Sequence, residues 1–341
     1  AGMTDMPLDG KMTAIKMHFG EPGNLAFLRH QYARTVVDTL KEMGAKPFLT
    51  DCNTLYPGMR RNALDHLDAA YMNGFSPLQT GCHVIIADGL LGTDFVSVPV
   101  NGEYCKQAYI GRAVVDAEAI ISLTHFKCHE GTGIGGALKN LGMGSGSRGG
   151  KLEMHSASKP VMHRNNCVSC GICVRHCSQK AIKFDAEKKA EINYELCIGC
   201  GQCVAMCQYN AAQVVWNESA DSANEKIAEY TLAVLRGKPN FHISFIMNVS
   251  PNCDCWSVND APVVPDLGIA CSFDPVALDC ACVDLVNAAA KLPDTALTDK
   301  KHVDGTDVFT CIHSNTNWRT GLEHASQIGL GSMGYELVRV D

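Results

Sequence analysis

"CVSCGICVRHC" (residues 167–177) and "CIGCGQCVAMC" (residues 197–207) repeat one cysteine spacing in the middle of the chain, and this repeat interrupts an alternation of predicted strands and helices. Each run reads C-x2-C-x2-C-x3-C. The closely spaced thiolates of such a run wrap one [4Fe-4S] cluster, and its fourth thiolate ligates the other cluster. Zinc sites use two widely separated pairs of ligands instead. The spacing therefore predicts two [4Fe-4S] clusters.

Each predicted cluster takes most of its ligands from one run and one ligand from the other. The first set is Cys167, Cys170, Cys173 and Cys207. The second set is Cys197, Cys200, Cys203 and Cys177. Bacterial runs of this type place proline after the fourth cysteine, whereas Ser178 and Gln208 stand there in this chain. The difference affects the local turn and removes no ligand.

Strands alternate with helices on both sides of the cysteine-rich segment, residues 158–216. Short apolar runs rich in branched residues predict strands at 12–19, 45–51, 83–89, 117–125, 241–250 and 267–275. Apolar residues at helical spacing predict helices at 28–44, 60–75, 222–238, 275–291 and near 318–329. We therefore predict an α/β fold in which one doubly wound, mostly parallel sheet domain (residues 1–157 and 217–341) is interrupted by an inserted α+β ferredoxin-like module.

The composition argues against several functional classes. The 341 residues carry a formal net charge of -7, whereas broad nucleic-acid binding needs a basic surface. No apolar run reaches the ~18 residues of a membrane helix, and the first residues lack the basic and apolar regions of a signal peptide. Eighteen cysteines without a secretion signal favour a reducing cytoplasm, as in an anaerobe. We expect neither nucleic acid nor membrane as a partner.

Several motifs in the flanks resemble the domain-of-unknown-function family 362, whose members are often labelled uncharacterised iron–sulfur centre proteins. They include "VIIADGLLG" (84–92), "LTHFKCHEGTGIGGALKNLGMG" (123–144), "CDCWSVNDAPVVPDLG" (253–268) and "SFDPVALD" (272–279). The resemblance extends over nearly the whole chain and implies the interrupted α/β architecture. It implies no reaction. Cys128 and Ser145 depart from the family pattern, in which glycine and cysteine are expected there.

The densest polar stretch, residues 124–144, follows an apolar strand. It therefore lies at the carboxyl end of the predicted sheet, where open α/β folds bind ligands. His125 and His129 are four residues apart and, with Cys128 and Glu130, could bind a metal if the segment were helical. The alternative is a polar loop with hydrogen-bonded histidines. Lys127 and Asp88 are also candidates for catalytic roles at strand ends.

Glycines follow in the same stretch, and Gly131, Gly133 and Gly136 match G-x-G-x-x-G. The acidic strand that a dinucleotide site needs about 20 residues later is missing, so a dinucleotide is disfavoured. Exposed N–H groups at a helix start, together with a lysine, could hold an anion instead; equally, the glycines could only form a tight turn. The predicted ligand-binding residues are Gly133, Gly135, Lys139, Asn140 and Asp260.

"PNCDCW" (251–256) places Cys253 and Cys255 after a predicted strand. Residues two apart on an extended segment share one side. The two thiols could ligate a metal, form a redox pair, or simply be buried, and the sequence leaves these alternatives open. Asp274, before Pro275, is predicted to cap a helix.

The leading hypothesis is an iron–sulfur oxidoreductase in which the clusters exchange single electrons with a site in the α/β domain. The site would contain His125, Lys127, His129, Asp88, Cys253 and Cys255. The substrate would be small and anionic, and a redox partner protein would exchange electrons with the clusters. One alternative is an electron carrier or assembly factor that docks on a protein partner without substrate chemistry. Another is a protein that handles a metal or metallocofactor.

Overall fold

The computed structural model describes residues 2–340 except 57, 156–158, 178, 198–201, 216–218, 302 and 304. Several predictions from the sequence concern positions outside the described residues. They are the ligand Cys200, the turn at Ser178 where bacterial runs have proline, and the boundaries at 157/158 and 216/217. The domain boundaries therefore stay predictions.

A six-stranded, mostly parallel sheet forms the centre of the protein. Its strands are β1 (Met12–Lys16), β2 (Lys46–Asp51), β3 (Val84–Ile86), β6 (Ala119–His125), β13 (Asn240–Ile246) and β14 (Gly268–Ser272). The order is β14-β13-β6-β1-β2-β3, and β14 alone pairs antiparallel within this sheet. All six strands were predicted from the sequence, so the mixed α/β fold with a mostly parallel sheet is confirmed.

Helices pack on both faces of this sheet, and further helices lie in the cysteine-rich segment and in the connections. The helices are α1 (His30–Glu42), α2 (Ala63–Met72), α3 (Pro77–Thr80), α4 (Arg112–Asp116), α5 (Ala137–Ser145), α6 (Arg148–His155), α7 (Ile172–His176), α8 (Gln202–Met206), α9 (Ala220–Leu235), α10 (Pro275–Ala288), α11 (Ala296–Asp299), α12 (Val308–Ile312) and α13 (Trp318–Gln327), with 3-10 turns at Met3–Asp5 and Arg164–Asn166. The five helices predicted from the sequence correspond to α1, α2, α9, α10 and α13.

Alternating strand residues enter two separate hydrophobic cores because side chains point to opposite faces along a strand. Ala14 and Ile120 pack with α5, α9 and α10 on one face. Ile15 and Ile121, their chain neighbours, pack with α1 on the other face. All four side chains are fully buried, which explains why these strands read as continuous apolar runs rather than alternating ones.

The chain reverses the direction of winding between β1 and β6. The chain passes from β1 to β2 and β3 on one side, and later from β6 to β13 on the other. Ligands of open α/β sheets bind in the crevice outside the carboxyl ends of the strands at such a reversal. The loops after β1, β2, β6 and β13 meet at this edge.

The cysteine-rich segment forms short elements with a small core of their own. The strands are β9 (Val161–Met162), β10 (Ile182–Phe184), β11 (Ala190–Ile192) and β12 (Ala212–Gln213), pairing as β10-β11 and β12-β9. Helices α7 and α8 carry cysteines of the two runs. The core of this segment also includes Leu55 from the loop after β2 and Leu152 from α6. The segment is therefore packed against the α/β part of the chain.

Two antiparallel hairpins complete the described elements. Strands β4 (Phe95–Pro99) and β5 (Gln107–Gly111) form one, and β7 (Lys127–His129) and β8 (Gly133–Gly135) form the other. The second hairpin occupies the polar stretch in which a helix would have paired His125 with His129. That condition for a shared metal site is not met, because an extended chain does not place residues four apart together as a helix turn does.

Among the residues that the structure describes, none of the helices combines the length and the apolar character that crossing a membrane requires.

Candidate functional site

The polar groups at the reversal form a site centred on the loop after β13. We call Lys139, His129, Cys253, Asp254 and Cys255 the edge site. His129 comes from the β7–β8 hairpin and Lys139 from the first turn of α5. The three remaining residues follow β13 in a turn outside any helix or strand. The structure therefore brings together residues that the sequence places more than 100 positions apart.

Asp254 is a buried carboxylate between two basic side chains. Its Oδ2 lies 2.9 Å from His125 Nδ1 and 3.1 Å from Lys127 Nζ. Burial alone would raise the pKa of Asp254, but His125 and Lys127 hold it well below its ordinary value. His125 Nε2 lies 2.9 Å from the carbonyl oxygen of Met247. Both nitrogens of His125 thus face acceptors, and its role here is to anchor the loop.

Cys253 lies among groups that stabilise a thiolate. Its Sγ is 4.0 Å from Lys139 Nζ and 3.4 Å from the backbone N of Cys255. A hydrogen bond from the Cys255 thiol lowers the pKa of Cys253 well below its ordinary value, against the effect of burial; Lys139 and His129 act in the same direction. The same interaction and burial raise the pKa of Cys255. The surroundings therefore favour a thiolate on Cys253 and a thiol on Cys255.

Glu130 joins the hairpin to this turn. Its carboxylate accepts hydrogen bonds from the backbone N of Cys253 at 3.2 Å and from Trp256 Nε1 at 2.8 Å. The Cys255 Sγ lies 3.9 Å from Glu130 Oε1, within reach for a proton transfer. Cys253 is 3% exposed, whereas Cys255 is half-buried and the indole of Trp256 is 55% exposed. The pair is therefore open to solvent on the side of Cys255 and Trp256.

His129, Cys253 and Cys255 together could ligate a metal ion, since one ligand atom from each lies within 4.8 Å of the others. The orientation of the ring argues against it. His129 Nδ1 faces two donors, the backbone N–H groups of Gly131 at 3.0 Å and Thr132 at 3.2 Å. In a neutral ring the proton is then on Nε2, and this N–H is the group that can donate to Cys253. Ligating histidines normally donate through the nitrogen that does not bind the metal, which is the opposite arrangement.

The pairing of Lys16 with Asp51 behind the edge site was not predicted from the sequence, because the two residues are distant along the chain. Lys16 Nζ lies 2.9 Å from Asp51 Oδ1 and donates to Asn140 Oδ1 at 2.9 Å. The amide nitrogen of Asn140 donates to the carbonyl oxygens of Lys16 and Leu123 at 3.1 and 3.0 Å. This network joins the ends of β1, β2 and β6 to α5, and so fixes the helix that carries Lys139.

Arg60 forms a second buried network on the loop after β2. It bonds to Glu21 Oε2 at 2.9 Å, to the ring of His18 at 2.7 Å and to the Tyr56 hydroxyl at 2.6 Å. Arg60 is 1% exposed, so these partners replace the water that a guanidinium group normally binds. The helix predicted at 60–75 would have included Arg60 and Arg61, whereas α2 begins at Ala63 and both arginines lie in the loop before it.

Asp88 lies beside this network rather than in the edge site. Its Oδ1 accepts from the backbone N and the side-chain amide of Asn53 at 2.9 and 2.8 Å. Burial raises its pKa to about 6, and its buried Oδ2 has no hydrogen-bond partner among the residues that the structure describes. Asp88 therefore remains a candidate for a proton-carrying role, away from the two thiols.

The predicted anion site at the start of α5 already contains a carboxylate. Asp279 accepts from the backbone N of Ala137 at 2.7 Å and of Leu138 at 3.0 Å. Burial raises the pKa of Asp279 to about 7. The predicted ligand residues Gly133 and Gly135 lie in β8, and Asp260 is exposed on the loop after Trp256. Of the predicted ligand-binding side chains, Lys139 alone faces Cys253.

Four cysteine thiols predicted as one ligand set lie near one another. Burial raises the pKa of Cys173 to about 11, and the neighbouring thiols of Cys207, Cys170 and Cys167 add to this shift. Backbone N–H groups donate to sulfur in three places: Ala190 to Cys167 at 3.4 Å, Ala181 to Cys177 at 3.3 Å and Ala211 to Cys207 at 3.3 Å. Of the second predicted set, Cys177, Cys197 and Cys203 belong to the same small core.

Two buried donors near Cys207 have no acceptor in the described structure. They are Arg61 Nε and Gln208 Nε2. Arg61 also donates through Nη2 to the carbonyl oxygen of Cys207. Buried donors are nearly always paired, and a [4Fe-4S] cluster is an anion whose sulfurs accept hydrogen bonds. The donor set around Cys207 therefore fits such a cluster.

The loop after β2, residues 52–62, connects these two regions, and we call it the joining loop. Leu55 packs in the core of the cysteine-rich segment. Tyr56, the next residue, lies close enough to Cys255 and Cys253 for those thiols to raise its pKa further, beyond the larger effect of burial. Arg60, in the same loop, bonds to Glu21, whose backbone N donates to the carbonyl oxygen of Asp254 at 3.0 Å. The joining loop therefore contacts the cysteine-rich segment and is hydrogen-bonded to the edge site through Glu21.

Comparison with known proteins gives a family match and a distant likeness to a solved structure. Residues 13–284 match the family described as Domain of unknown function (DUF362). No curated protein matches. The structure is similar to that of the lactate racemase apoprotein from Thermoanaerobacterium thermosaccharolyticum, with 12% sequence identity and a TM-score of 0.34, over 70% of this chain and 43% of that chain. The chain thus spans less than half the length of that protein.

Proposed function

The chain belongs to the DUF362 domain family, and from that premise we propose that it is an iron–sulfur redox protein. In this proposal the cysteine-rich segment holds two [4Fe-4S] clusters, ligated by the eight cysteines of the two runs. Electrons pass between this segment and the edge site, where a small anionic substrate or ligand binds. The protein would be an oxidoreductase of a reducing cytoplasm, and a redox partner protein would supply or accept the electrons.

The observation that carries this proposal is the joining loop. It contacts the core of the cysteine-rich segment through Leu55. Through Arg60 it bonds to Glu21, whose backbone N donates to the carbonyl oxygen of Asp254 in the edge site at 3.0 Å. An electron carrier that only docked on a protein would not need an internal loop of this kind. The loop links the two regions through bonded atoms and hydrogen bonds.

Side chains of the protein would provide charge compensation, substrate binding and proton donation. When bound, each cluster supplies one-electron transfer. Arg61 offsets the negative charge near Cys207, Gln208 offers a hydrogen bond there, and Lys139 attracts an anionic group to the edge site. His129 holds a proton on Nε2 and is the candidate proton donor, since both nitrogens of His125 are engaged.

The test begins with anaerobically prepared protein and chemical analysis of iron and sulfide. We expect about eight of each per chain and about half of that for Cys203→Ser, while Cys311→Ser, at a half-buried cysteine outside the runs, keeps the wild-type content. The protein is then reduced with titanium(III) citrate and mixed with small anionic oxidants. At least one should restore the visible absorbance of the clusters faster in wild type than in Lys139→Gln.

Two results would contradict the proposal. Zinc in place of iron at the two cysteine runs would exclude the clusters. Full iron content with no oxidant that discriminates wild type from Lys139→Gln would favour the alternative of an electron carrier or assembly factor without its own substrate.

A second candidate function rests on the group of His129, Cys253 and Cys255, whose ligand atoms lie within 4.8 Å of one another. This group favours a protein that binds a further metal or handles a metallocofactor. Metal analysis of dialysed protein distinguishes the two functions. The second function predicts one equivalent of a metal other than iron, lost in Cys253→Ser and in His129→Ala.

A further inference from the structure

We propose that Cys253 and Cys255 are a redox-active dithiol that reduces a disulfide substrate. The inference rests on the proposed function, because the electrons that restore the dithiol come from the cysteine-rich segment. It adds the reacting group of the edge site and the chemical class of its substrate.

The geometry distinguishes this pair from other thiols of the chain. The sulfurs lie within 4.8 Å of each other, in a turn outside helix and strand. Rotation of the two side chains toward each other can shorten this distance to the ~2.05 Å of a disulfide. Lys139 Nζ is 4.0 Å from one sulfur and Glu130 Oε1 is 3.9 Å from the other. A cation therefore stands beside the nucleophile and a base beside its partner.

The same chain contains a second C-x-C pair that lacks these neighbours. Cys280 and Cys282 lie in α10 and are buried. Burial raises the pKa of Cys280 to about 12 and that of Cys282 well above its ordinary value. Among the described cysteines whose pKa shifts, Cys253 alone is shifted downward. The C-x-C spacing alone therefore does not make a thiol reactive. The charged and polar neighbours of Cys253 favour its reactive thiolate form.

The reaction balances in two steps. The Cys253 thiolate attacks one sulfur of R–S–S–R, the substrate S–S bond breaks, and one RS⁻ leaves as a mixed disulfide forms on Cys253. Cys255 then gives its proton to Glu130 and attacks the Cys253 sulfur. The second RS⁻ leaves, and a Cys253–Cys255 disulfide remains. Two electrons then split the Cys253–Cys255 disulfide into two thiolates, and Glu130 returns its proton to Cys255, which restores the starting thiolate and thiol. Two clusters that each carry one electron match this requirement.

The position of Lys139 also predicts a preference for anionic substrates. Before attack it faces the Cys253 thiolate at 4.0 Å. Attack moves the negative charge from Cys253 to the leaving thiolate, and the ammonium group is then free to pair with that charge or with an acidic substituent. A disulfide with carboxylate substituents should therefore react faster than a neutral or cationic one.

The experiment measures the thiols directly and does not depend on the clusters. Protein with its clusters is kept anaerobic and treated with one equivalent of dithiodiglycolate, which carries two carboxylates. Products are mapped by alkylation and mass spectrometry. Wild type should form the Cys253–Cys255 disulfide and release two thioglycolates, whereas Cys255→Ser should stop at a mixed disulfide on Cys253 with one released. Cys280→Ser is the matched control and should behave as wild type.

Reaction rates test the contribution of the Lys139 charge. Lys139→Gln should slow the reaction with dithiodiglycolate about tenfold, because it removes a unit charge beside the thiolate. The exposed control Lys300→Gln should leave the rate unchanged. For wild type the rates should fall from dithiodiglycolate to 2-hydroxyethyl disulfide to cystamine. Equal rates for all three reagents would contradict the proposed preference for anionic substrates.

Each failure points to a different conclusion. If neither Cys253 nor Cys255 reacts, or if both react independently without forming a disulfide, the dithiol inference is wrong. One equivalent of bound zinc that protects both thiols would also overturn it in favour of a metal site. If the dithiol forms and exchanges as expected but reduced clusters do not re-reduce it, the dithiol inference holds and the proposed electron transfer fails. If reduced clusters are reoxidised equally in wild type and Cys253→Ser, electrons leave the clusters without this dithiol. The proposed electron transfer then holds and the dithiol inference is wrong.

Discussion

Asp254 is the residue on which the edge site depends most. Its carboxylate is fully buried and contacts His125 and Lys127. Asp254 also stands between Cys253 and Cys255, so its position determines where both sulfurs lie. A buried ion pair with one partner removed leaves an uncompensated charge, which costs more than the pair itself contributes.

Asp254→Asn should therefore lower the free energy of unfolding by roughly 3–5 kcal/mol. The neutral amide leaves Lys127 without its carboxylate in a site where Lys127 is 6% exposed. Urea unfolding followed by circular dichroism measures the change. Asp260→Asn, in the same loop but exposed, is the matched control and should change stability little. Equal stability of the two variants would mean that Lys127 finds another partner or reaches water.

Asp279 predicts a pH dependence of stability. Burial raises its pKa from 3.8 to about 7, so between these values the folded protein binds more protons than the unfolded chain. The free energy of unfolding then falls as pH rises from about 4 to 7, by at most ~1.4 kcal/mol per pH unit from this group.

Asp279→Asn removes this titration, and its unfolding free energy should depend less steeply on pH across the same range. The comparison uses urea unfolding at several pH values, with Asp274→Asn as the control. Asp274 caps α10, as the sequence predicted, and asparagine serves equally well as a cap. A slope for Asp279→Asn as steep as that of wild type would show that another group titrates.

At the scale of elements, α5 holds the edge site in place. Gly142 in α5 faces α9 so closely that an added Cβ would lie 2.3 Å from the carbonyl oxygen of Ile227 and 2.7 Å from Thr231 Oγ1. Thr231 also donates to the carbonyl oxygen of Leu138 at 3.0 Å. The two helices are thus in direct backbone contact, and α5 cannot shift without disturbing α9.

Gly142→Ala should separate these helices and destabilise the protein by roughly 1–3 kcal/mol. Because Lys139 lies one turn earlier in α5, alkylation of Cys253 by iodoacetamide should also become slower. Gly334→Ala is the control, since its nearest neighbour would be Ser332 Oγ at 3.6 Å, an ordinary contact. Thermal unfolding and the alkylation rate together check the prediction, and an unchanged melting temperature would contradict it.

Local patterns in the sequence were sufficient for the main elements. The six strands and five helices were predicted because apolar residues repeat at the period of each element. The β7–β8 hairpin was not predicted, because three-residue strands such as Lys127–His129 and Gly133–Gly135 are too short to show a period. Glycines there gave a motif that also fits a helix start.

The networks of the site could not be predicted from local patterns. Lys16 and Asp51 meet because β1 and β2 are neighbours in the sheet, and Arg60 is linked to Asp254 through Glu21 only once the loops of distant strands meet. The sequence left open whether Cys253 and Cys255 are a metal pair, a redox pair or buried thiols. The neighbours Lys139, His129 and Glu130 favour the redox pair, and none of them is close to it along the chain.

At the scale of the whole molecule, the cysteine-rich segment contacts the α/β part through the joining loop and α6. Arg61 donates to the carbonyl oxygen of Cys207, and Arg148 Nη2 donates to that of Val204 at 2.9 Å. These arginines place positive charge beside the predicted ligand Cys207. Reduction adds a negative charge to a cluster, so nearby positive charge raises its reduction potential.

Arg61→Ala should therefore lower the reduction potential of the cluster ligated by Cys207, by on the order of 60 mV, which corresponds to about 1.4 kcal/mol for one electron. A potentiometric titration followed by electron paramagnetic resonance measures the shift. Arg112→Ala is the control, because Arg112 is an exposed arginine paired with Asp94 and should leave both potentials unchanged. A potential that does not move in Arg61→Ala would place that cluster away from the joining loop.

In the proposed reaction electrons leave the clusters through the Cys253–Cys255 pair, and the stoichiometry of reoxidation checks this route. Protein reduced under anaerobic conditions and freed of reductant is titrated with dithiodiglycolate while the visible absorbance of the clusters is followed. We expect one equivalent of disulfide to restore the absorbance of both clusters, because a disulfide accepts two electrons, and Cys253→Ser to remain reduced. Clusters of the wild-type protein that stay reduced in the presence of excess disulfide would contradict it.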